Sequence, residues 1–281
     1  MKKYIMAKTN IAVSGGDGFL ESAAKGYEAD FEKPDLQINY TRRPEIPAPA
    51  GKPIGKSVCG PAQLEWYYED GVVMYSFNEP TGEYVLRTRF SADWRRADAE
   101  VLAAMTGEFV MKNITDIILR IATIPRGCIT IHSSSLAYNG RGLMFSAPSG
   151  TGKSTHTGLW QKYRPGTIIV NDDMPMINTN GEITLCGTPF AGTTGINTNI
   201  NVPLAAVVFL RRAAENSITP LSAAQALAYL SGEISKFPVK EIAEMQFDLI
   251  NKIISHIPVY LLQCDISENA VDVSSEILKE S

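Results

Sequence analysis

The sequence has few of the residues that build metal centres or disulfide frameworks. It contains three histidines and four cysteines, and no two of the cysteines form a Cys-x-x-Cys pair. Three histidines are too few for a distributed metal site, and thiols spaced far apart are typical of a reducing compartment. We therefore expect ordinary buried or half-buried thiols at Cys59, Cys128, Cys186 and Cys264.

A strong excess of basic charge is lacking too. The formal net charge is −4 and the isoelectric point is about 5.5, so nothing indicates a surface for nucleic acid. The densest basic cluster, between Arg87 and Arg96, is diluted by Asp93. The longest apolar run, near 202–210, has the length of a strand and is far too short to span a membrane. No signal-peptide pattern follows the two N-terminal lysines. The sequence thus predicts a soluble cytoplasmic protein without nucleic-acid or membrane partners.

The hydrophobic content predicts a well-packed protein, and the residue pattern differs between regions of the chain. The 281 residues are 44% hydrophobic, which is ample for one large or two smaller domains. Residues 1–100 alternate short apolar runs with turn signals, including the glycines at 15–18, and predict a small β-rich region. Within it, the segments 64–68, 72–77 and 84–90 predict an antiparallel meander.

A helical pattern follows from about 97 to 124, where apolar residues recur every three or four positions. We assign 101–125 to a helical connector and 126–281 to a second, larger domain. In that domain the patterns predict strands at 129–138, 143–146, 168–171, 176–178, 183–186, 204–210 and 259–264, helices at 152–163, 223–233 and 239–255, and a short C-terminal helix. These elements predict an α/β fold with a mixed sheet.

A glycine-rich segment lies between the strand predicted at 143–146 and the helix predicted at 152–163. Strand, glycine-rich turn and helix N-terminus, in this order, point backbone N–H groups at phosphate oxygens. Lys153 would neutralise the β- and γ-phosphates, and the Ser154 hydroxyl would bind Mg²⁺. The segment predicts a P-loop for a nucleoside triphosphate, with Ala147 in place of the usual first glycine. Its residues are Ala147, Pro148, Ser149, Gly150, Thr151, Gly152, Lys153, Ser154 and Thr155.

An acidic pair, Asp172 and Asp173, ends the strand predicted at 168–171. Downstream of a P-loop, a carboxylate at the end of a strand is a suitable second ligand for Mg²⁺. Two adjacent carboxylates can also divide the work, since one can stay ionised on the metal while the other acts as a base. The pair therefore predicts a metal ligand and a base.

The segment from His132 to Asp173 resembles the catalytic domain of HPr kinase/phosphorylase, a family with a phosphoenolpyruvate-carboxykinase-like P-loop fold. Both contain a strand with a histidine, a loop ending in Ser-Gly-x-Gly-Lys-Ser and a strand ending in two aspartates. The resemblance covers about 126–215. It implies Mg²⁺ and ATP, with GTP as an alternative nucleotide, and it implies a homo-oligomer. It also implies that Asp172 is the general base for an acceptor hydroxyl, that Asp173 holds the metal, and that His132 lies beside the γ-phosphate.

A long polar loop at 187–201 corresponds to the region that grips the acceptor in the resembled family. Unlike the loop of that family, it contains no lysine and no arginine. A transferring phosphoryl group usually needs such a charge, so Arg211 and Arg212, at the end of the next strand, are candidate catalytic replacements. Arg126 and Arg141 are further candidates. The loop looks like that of a branch whose target is not HPr itself. Its candidate substrate-binding residues are Gly187, Thr188, Gly192, Gly195, Asn197 and Asn199.

Three functions remain open for this sequence. The paired aspartates favour a hydroxyl kinase that acts on a protein, a peptide or a small molecule, because such a reaction needs a base. The uncharged loop leaves open a nucleotide-binding regulatory module without transfer chemistry. A carboxykinase-type phosphotransferase of small molecules is the least favoured, because no arginine-rich acid-binding site is evident in the sequence.

Overall fold

The computed structural model describes residues 1–15, 23–60, 62–78, 80–192 and 194–279, and the chain divides into two compact units. The first unit comprises Met1–Arg126 and Ser235–Gln246, and the second comprises Gly127–Ile234 and Phe247–Ser281. The segment 101–125, expected to connect two domains, lies within the first unit. A stretch of the C-terminal half also belongs to the first unit, which the sequence pattern does not predict.

Eight strands of the first unit form one sheet in the order β1-β2-β3-β8-β7-β6-β5-β4. β3 pairs in parallel with β2 and with β8, and the other neighbours are antiparallel. The consecutive strands β5, β6 and β7 confirm the predicted meander, whereas most of the glycine turn expected at 15–18 lies outside the described residues. The strands are β1 (Lys2–Met6), β2 (Thr9–Ser14), β3 (Leu36–Arg43), β4 (Gly55–Cys59), β5 (Ala62–Glu69), β6 (Gly71–Asn78), β7 (Glu83–Phe90) and β8 (Arg96–Leu102), and single-turn 3-10 helices lie at Lys25–Tyr27 and Ile124–Arg126.

The helical pattern expected from 97 to 124 is wrong in its first part. That part forms β8, and helix α1 spans only Glu108–Ala122. In β8, buried residues such as Ala97 and Val101 alternate with partly exposed charged residues, which is the period of a strand. Pairing with β3 and β7 on its two sides overrides the local helical spacing.

Nine strands of the second unit form a mixed sheet. Its main path is β12-β10-β11-β15-β14-β13-β9, and β17 pairs with both β15 and β16. The mixed sheet and its helices confirm the expected α/β class, and none of the described helices is long and apolar enough to cross a membrane. The strands are β9 (Cys128–Thr130), β10 (Ser133–Tyr138), β11 (Arg141–Ser146), β12 (Ile168–Asn171), β13 (Met176–Asn178), β14 (Thr184–Cys186), β15 (Asn201–Arg212), β16 (Ser217–Pro220) and β17 (Val259–Cys264). The helices are α2 (Lys153–Tyr163), α3 (Ala223–Gly232), α4 (Lys240–His256), which begins in the first unit, and α5 (Glu268–Ser275), with a 3-10 turn at Glu276–Leu278.

Apolar clusters on two sides of β15 explain the apolar run in this strand. Val207 belongs to a cluster with Leu230 of α3, and Val208 belongs to another with Trp160 of α2. Successive side chains of a strand alternate between the two faces of a sheet. A strand that is buried on both faces therefore needs apolar residues at nearly every position.

The single strand expected at 129–138 is in fact two strands. β9 pairs with β13, whereas β10 pairs with β11 and β12. Between them, the N–H of His132 donates to the carbonyl of Glu233, and the N–H of Ser133 donates to the carbonyl of Asp173. These backbone groups bond to segments outside the sheet, so His132 lies where the chain changes its strand partners.

Candidate functional site

The glycine-rich segment forms a tight turn between a strand and a helix. β11 ends at Ser146, and α2 begins at Lys153. Gly150 and Gly152 have φ angles of 78° and 119°, which residues with a Cβ rarely adopt. The methyl group of Ala147 is buried in the apolar cluster that contains Trp160. An alanine at the first position of the motif therefore contributes to the core.

The N-terminus of α2 has the features of an anion site. Its N-cap residue is Gly152, which has no side chain to accept from the first N–H groups, and no acidic residue lies in the first turn. The first N–H groups of a helix have no acceptor within the helix, and the helix dipole favours a negative charge beside them. A phosphate group matches both requirements.

Lys153 holds its amino group inside this turn. The residue is 8% exposed, and its Nζ donates to the carbonyl of Ala147 at 2.9 Å. Burial lowers the pKa of the Lys153 ammonium, while the carboxylates of Glu233 and Asp173 oppose that shift. The amino group thus lies in the field of two acids and bonds to a backbone oxygen, which phosphate oxygens could replace.

Asn171 organises the turn that carries the acidic pair. The residue is fully buried at the end of β12. Its Oδ1 accepts from the N–H groups of Asp173 and Met174 at 2.8 Å and 2.7 Å, and its Nδ2 donates to the carbonyl of Thr188 at 2.8 Å. This pattern of an amide side chain bonding the backbone beyond it is that of an Asx turn. It orients Asp172 and Asp173 from the buried side.

Replacing Asn171 by alanine is expected to lower the free energy of unfolding by about 3 kcal/mol, because the buried carbonyl of Thr188 and the part-buried N–H groups of Asp173 and Met174 lose their partner. Urea unfolding of the wild type and the variant measures this difference. Asn251→Ala, at an exposed position of α4, is the matched control and should change stability by less than about 0.5 kcal/mol. Equal stability of N171A and the wild type would contradict the role of Asn171.

His132 lies between two carboxylates. Its Nε2 is 3.6 Å from Asp173 Oδ1, and its Nδ1 is 3.3 Å from Glu233 Oε2. Sequence reasoning missed Glu233, which is the C-cap residue of α3. A signal was available, because an acidic residue at a helix C-terminus opposes the helix dipole. The structure shows that Glu233 faces His132 there.

Asp172 is the more enclosed member of the pair. The residue is 7% exposed, and its Oδ1 accepts from the N–H of Gly192 at 2.9 Å. Its Oδ2 accepts from the hydroxyl of Thr194, a residue that sequence reasoning also missed. Two donors from the loop at 187–201 therefore bond to the two oxygens of the predicted base.

A cavity of about 480 Å³ brings most of the predicted residues together. Its size lies in the range of small-molecule sites. The glycine-rich turn supplies one part of the lining and the acidic pair another, so the two elements predicted from the sequence share one space, which we call the phosphate cavity after the predicted ligand. The lining residues are His132, Ser149, Gly150, Gly152, Lys153, Ser154, Thr155, Asp172, Asp173, Gly192 and Arg212.

The residues predicted to hold Mg²⁺ both line this cavity. Ser154 contributes a hydroxyl and Asp173 a carboxylate. Hard oxygen donors suit Mg²⁺, which is commonly held by one or two protein side chains together with phosphate oxygens. In the described part of the chain, no group of three or more histidine, cysteine or acidic side chains forms a metal site by itself. The donor set therefore fits a cation that arrives with a nucleotide.

The two predicted arginines are separated by the alternation of β15. The Nε of Arg212 donates to the carbonyl of Thr151 at 3.0 Å, and its Nη2 donates to that of Gly150 at 2.5 Å. Arg211 instead donates to the hydroxyl of Tyr229 at 3.0 Å and is not among the residues that line the phosphate cavity. Neighbouring strand residues point to opposite faces, so Arg212 lines the phosphate cavity, whereas Arg211 lines a neighbouring cavity of about 620 Å³ with residues 148–151 of the same turn.

The loop at 187–201 is packed at its two ends. A Cβ on Gly187 would lie 1.9 Å from the carbonyl oxygen of Thr198, and the buried Thr188 donates its hydroxyl to the carbonyl of Met174. Asn197 forms a β-bridge with Asn171. These predicted substrate-binding residues therefore hold the loop in place.

The middle of the same loop reaches the acidic pair. Gly192 lines the phosphate cavity, Thr194 and Gly195 follow it, and both are exposed. Asn199 is also exposed but lies in the packed C-terminal part, and Thr193 is outside the described residues. Gly192 and Thr194 therefore bring this part of the loop against Asp172.

A second cavity, of about 430 Å³, is lined by Thr151 and Gly152 of the same turn. It shares Gly152, Thr155 and Arg212 with the phosphate cavity, but much of its lining is apolar. The apolar lining residues are Leu159, Leu210, Ala213 and Ile266, and His156, Cys264 and Asp265 also contribute.

His156 is buried beside this second cavity. Its Nε2 is 3.2 Å from the hydroxyl of Ser274, its ring packs against Phe145, and its Nδ1 has no hydrogen-bond partner among the described residues. Burial lowers the pKa of His156 to about 4. The ring is therefore neutral in the folded protein at pH 7.

Because of His156, the free energy of unfolding is expected to fall by about 3 kcal/mol as the pH drops from about 6.5 to about 4. In this interval the unfolded chain binds a proton at His156 and the folded protein does not, so acid favours unfolding. Urea unfolding at pH 7 and at pH 4.5 should show a steeper loss for the wild type than for His156→Gln, which cannot titrate. Identical pH profiles for the two proteins would contradict this role.

No curated protein matches the chain. Among solved structures, the HPr(Ser) kinase/phosphatase from Coxiella burnetii matches with a TM-score of 0.31 and 10% sequence identity, covering 54% of this chain and 88% of that chain. This is a weak similarity to one HPr kinase.

The family comparison gives the more extensive match. Residues 100–279 match the model of a family described as "SynChlorMet cassette protein ScmC". The match covers more than half of the chain and includes the glycine-rich turn, the acidic pair, the loop at 187–201 and β15. The chain therefore belongs to the ScmC family.

Proposed function

We propose that this protein is a Mg²⁺-dependent phosphotransferase that moves the γ-phosphate of ATP to a hydroxyl group. The observation that carries the proposal is the shared cavity, in which Lys153 and the N-terminus of α2 lie with Asp172 and Asp173. Anion-binding groups and a base are the two halves that phosphoryl transfer requires. GTP is an alternative nucleotide. Within this proposal, the domain at 126–281 has the phosphoenolpyruvate-carboxykinase-like P-loop fold.

Several residues of the cavity have distinct roles in the proposed reaction. The backbone N–H groups of the P-loop and Lys153 bind the β- and γ-phosphates. Ser154 and Asp173 would hold Mg²⁺, which neutralises phosphate charge when it is bound. Asp172 takes the proton of the acceptor hydroxyl. His132 lies next to Asp173 and is assigned to the surroundings of the γ-phosphate.

Arg212 supplies the positive charge that the loop at 187–201 lacks. Its guanidinium lines the cavity and bonds to two carbonyls of the P-loop. Those bonds hold the turn in the form that presents its N–H groups, and the remaining charge favours the triphosphate. Arg211 has no role in this proposal.

The nucleobase is assigned to the second cavity. That cavity has an apolar lining, as flat aromatic ligands require, and it meets the phosphate cavity at Gly152 and Thr155. Ala213→Phe would fill it, and we expect the affinity for ATP to fall by at least about tenfold while inorganic tripolyphosphate binds as before. Isothermal titration calorimetry measures both ligands. Ala103→Phe, at an exposed position, is the control, and equal losses for ATP and tripolyphosphate would contradict the assignment.

A regulatory module that binds nucleotide without transferring phosphate is the second candidate. It is favoured by the two hydrogen bonds that Gly192 and Thr194 donate to Asp172, because a base engaged by its own loop does not face an external acceptor. A carboxykinase-type reaction is less favoured, since Arg212 is the one arginine among the described lining residues of the phosphate cavity.

The deciding experiment follows the γ-phosphate. The protein is incubated with Mg²⁺ and γ-labelled ATP, together with fractionated proteins and metabolites of the source cell. A kinase transfers label to a hydroxyl in at least one fraction, and Asp172→Asn does not. Binding of Mg·ATP without labelling of any fraction, of water or of the protein itself would overturn the kinase and favour the regulatory module.

A further inference from the structure

The hydroxyl of Thr194 occupies the position that the proposed mechanism reserves for an acceptor. A general base must accept a hydrogen bond from the hydroxyl whose proton it removes. Asp172 Oδ2 accepts such a bond from Thr194 Oγ1. The loop thus places one of the protein's own hydroxyl groups on the proposed base.

The surroundings of Thr194 leave its oxygen able to react. The residue is exposed, so its hydroxyl is not committed to the core. A hydroxyl has one proton and two lone pairs: the proton points to Asp172, and one lone pair accepts from the N–H of Ile196 at 3.2 Å. The second lone pair can attack phosphorus.

The neighbours of Thr194 tie this hydroxyl to the phosphate cavity. Gly192 lines the cavity and donates its N–H to the other oxygen of Asp172 at 2.9 Å. On the other side, Gly195 has a φ of 70°, a conformation that glycine adopts without strain. The carboxylate of Asp172 is therefore shared by the cavity and the loop.

We propose that Thr194 is an internal phosphate acceptor and that the protein phosphorylates itself at this residue. The proposal rests on the proposed phosphotransferase function. In the step, a bond forms between Thr194 Oγ1 and the γ-phosphorus, and the bond from that phosphorus to the β,γ-bridging oxygen breaks. ADP leaves with the electron pair, and the hydroxyl proton passes to Asp172. The products are phosphothreonine and ADP.

The test is intact-mass and fragment-ion mass spectrometry of the full-length protein after incubation with Mg·ATP. We expect one added phosphate, with fragment ions that separate Thr193 from Thr194 and place it on Thr194. Thr194→Ser keeps the hydroxyl and should be modified, whereas Thr194→Val keeps the shape and should not. Because base and acceptor belong to one chain, the first-order rate should not change over a hundredfold range of protein concentration.

A parallel titration with Mg·ATP distinguishes failure of the inference about Thr194 from failure of the proposed nucleotide function. Binding of Mg·ATP by the wild type with an unmodified Thr194, or with phosphate only on another residue, would overturn the inference and leave the nucleotide function standing. Failure to bind Mg·ATP would overturn both. Modification of Thr194 in the folded Asp172→Asn variant at the wild-type rate would also overturn it, since the inference assigns the proton to Asp172.

Discussion

Replacing Asp172 by asparagine is expected to lower the rate of phosphoryl transfer by about 10²- to 10⁴-fold, which is the usual contribution of a positioned general base. The affinity for Mg·ATP should stay close to that of the wild type. An asparagine has the same shape, and its Oδ1 can still accept from the N–H of Gly192. Its Nδ2, however, cannot accept a proton from a hydroxyl.

The matched variant is Asp173→Asn, on the adjacent residue. Asp173 is assigned to Mg²⁺, so this change should weaken the Mg²⁺ dependence of ATP binding as well as transfer. Single-turnover transfer with γ-labelled ATP and calorimetry with and without Mg²⁺ separate the two effects. If both variants lose nucleotide binding equally and keep their fold, the division of roles between the two carboxylates is wrong.

Replacing Lys153 by methionine is expected to weaken ATP binding by about 100-fold, because charge-assisted hydrogen bonds to phosphate contribute about 1.5–3 kcal/mol each. The empty protein should keep its stability within about 1 kcal/mol. Methionine matches the length and volume of the lysine stem, and removing a buried charge offsets the lost bond to the carbonyl of Ala147. A variant that merely unfolds would not show this combination.

Calorimetry for ATP and urea unfolding for stability measure the two quantities. The control is Lys162→Met, on an exposed lysine of the same helix, which should change neither.

Burial lowers the pKa of Lys153. As the pH rises, ATP affinity should therefore begin to fall at a lower pH than it would with an exposed lysine. The stability of the nucleotide-free protein should change with pH in the opposite direction to the ATP affinity. The unfolded chain binds more protons at Lys153 than the folded protein does, so the free energy of unfolding rises with pH between the folded and unfolded pKa values. Wild-type ATP affinity in K153M would remove Lys153 from the phosphate site.

Local elements of the site were predictable because they depend on neighbours in sequence. The turn before α2 needs Gly150 and Gly152 for its positive φ angles, and their spacing from Lys153 is part of the motif. The strand at 168–171 matches β12 residue for residue, and its acidic end follows directly. Each of these features depends on a segment of about ten residues. Over that length, hydrophobic periodicity and turn-forming residues indicate the local structure.

Features that depend on strand partners were not predictable in the same way. β8 has apolar residues at helical spacing, yet pairing on both sides makes it a strand. The break at His132 arises because β9 and β10 have different partners. Arg211 and Arg212 are equivalent in the sequence, and only the orientation of β15 decides that Arg212 donates to a carbonyl of the glycine-rich turn whereas Arg211 donates to Tyr229.

The loop at 187–201 shows the same division at the level of single residues. Its composition identified a polar segment without lysine or arginine, but it did not show which residues hold the loop in place through hydrogen bonds. Thr188 and Asn197 pack against the turn around Asn171, and Thr194 meets Asp172 from 22 positions away. Glu233 likewise reaches His132 across 101 positions. Such contacts form between residues remote in the chain, so no local pattern contains them.

The sequence by itself therefore determined the glycine-rich turn and the acidic pair, because each is a short segment whose conformation follows from its own residues. The tertiary structure alone decided that the two share one cavity, that Arg212 rather than Arg211 joins them, and that Thr194 bonds to the proposed base. These outcomes depend on which strands pair and on which face each side chain emerges, and both are settled only when the whole sheet forms.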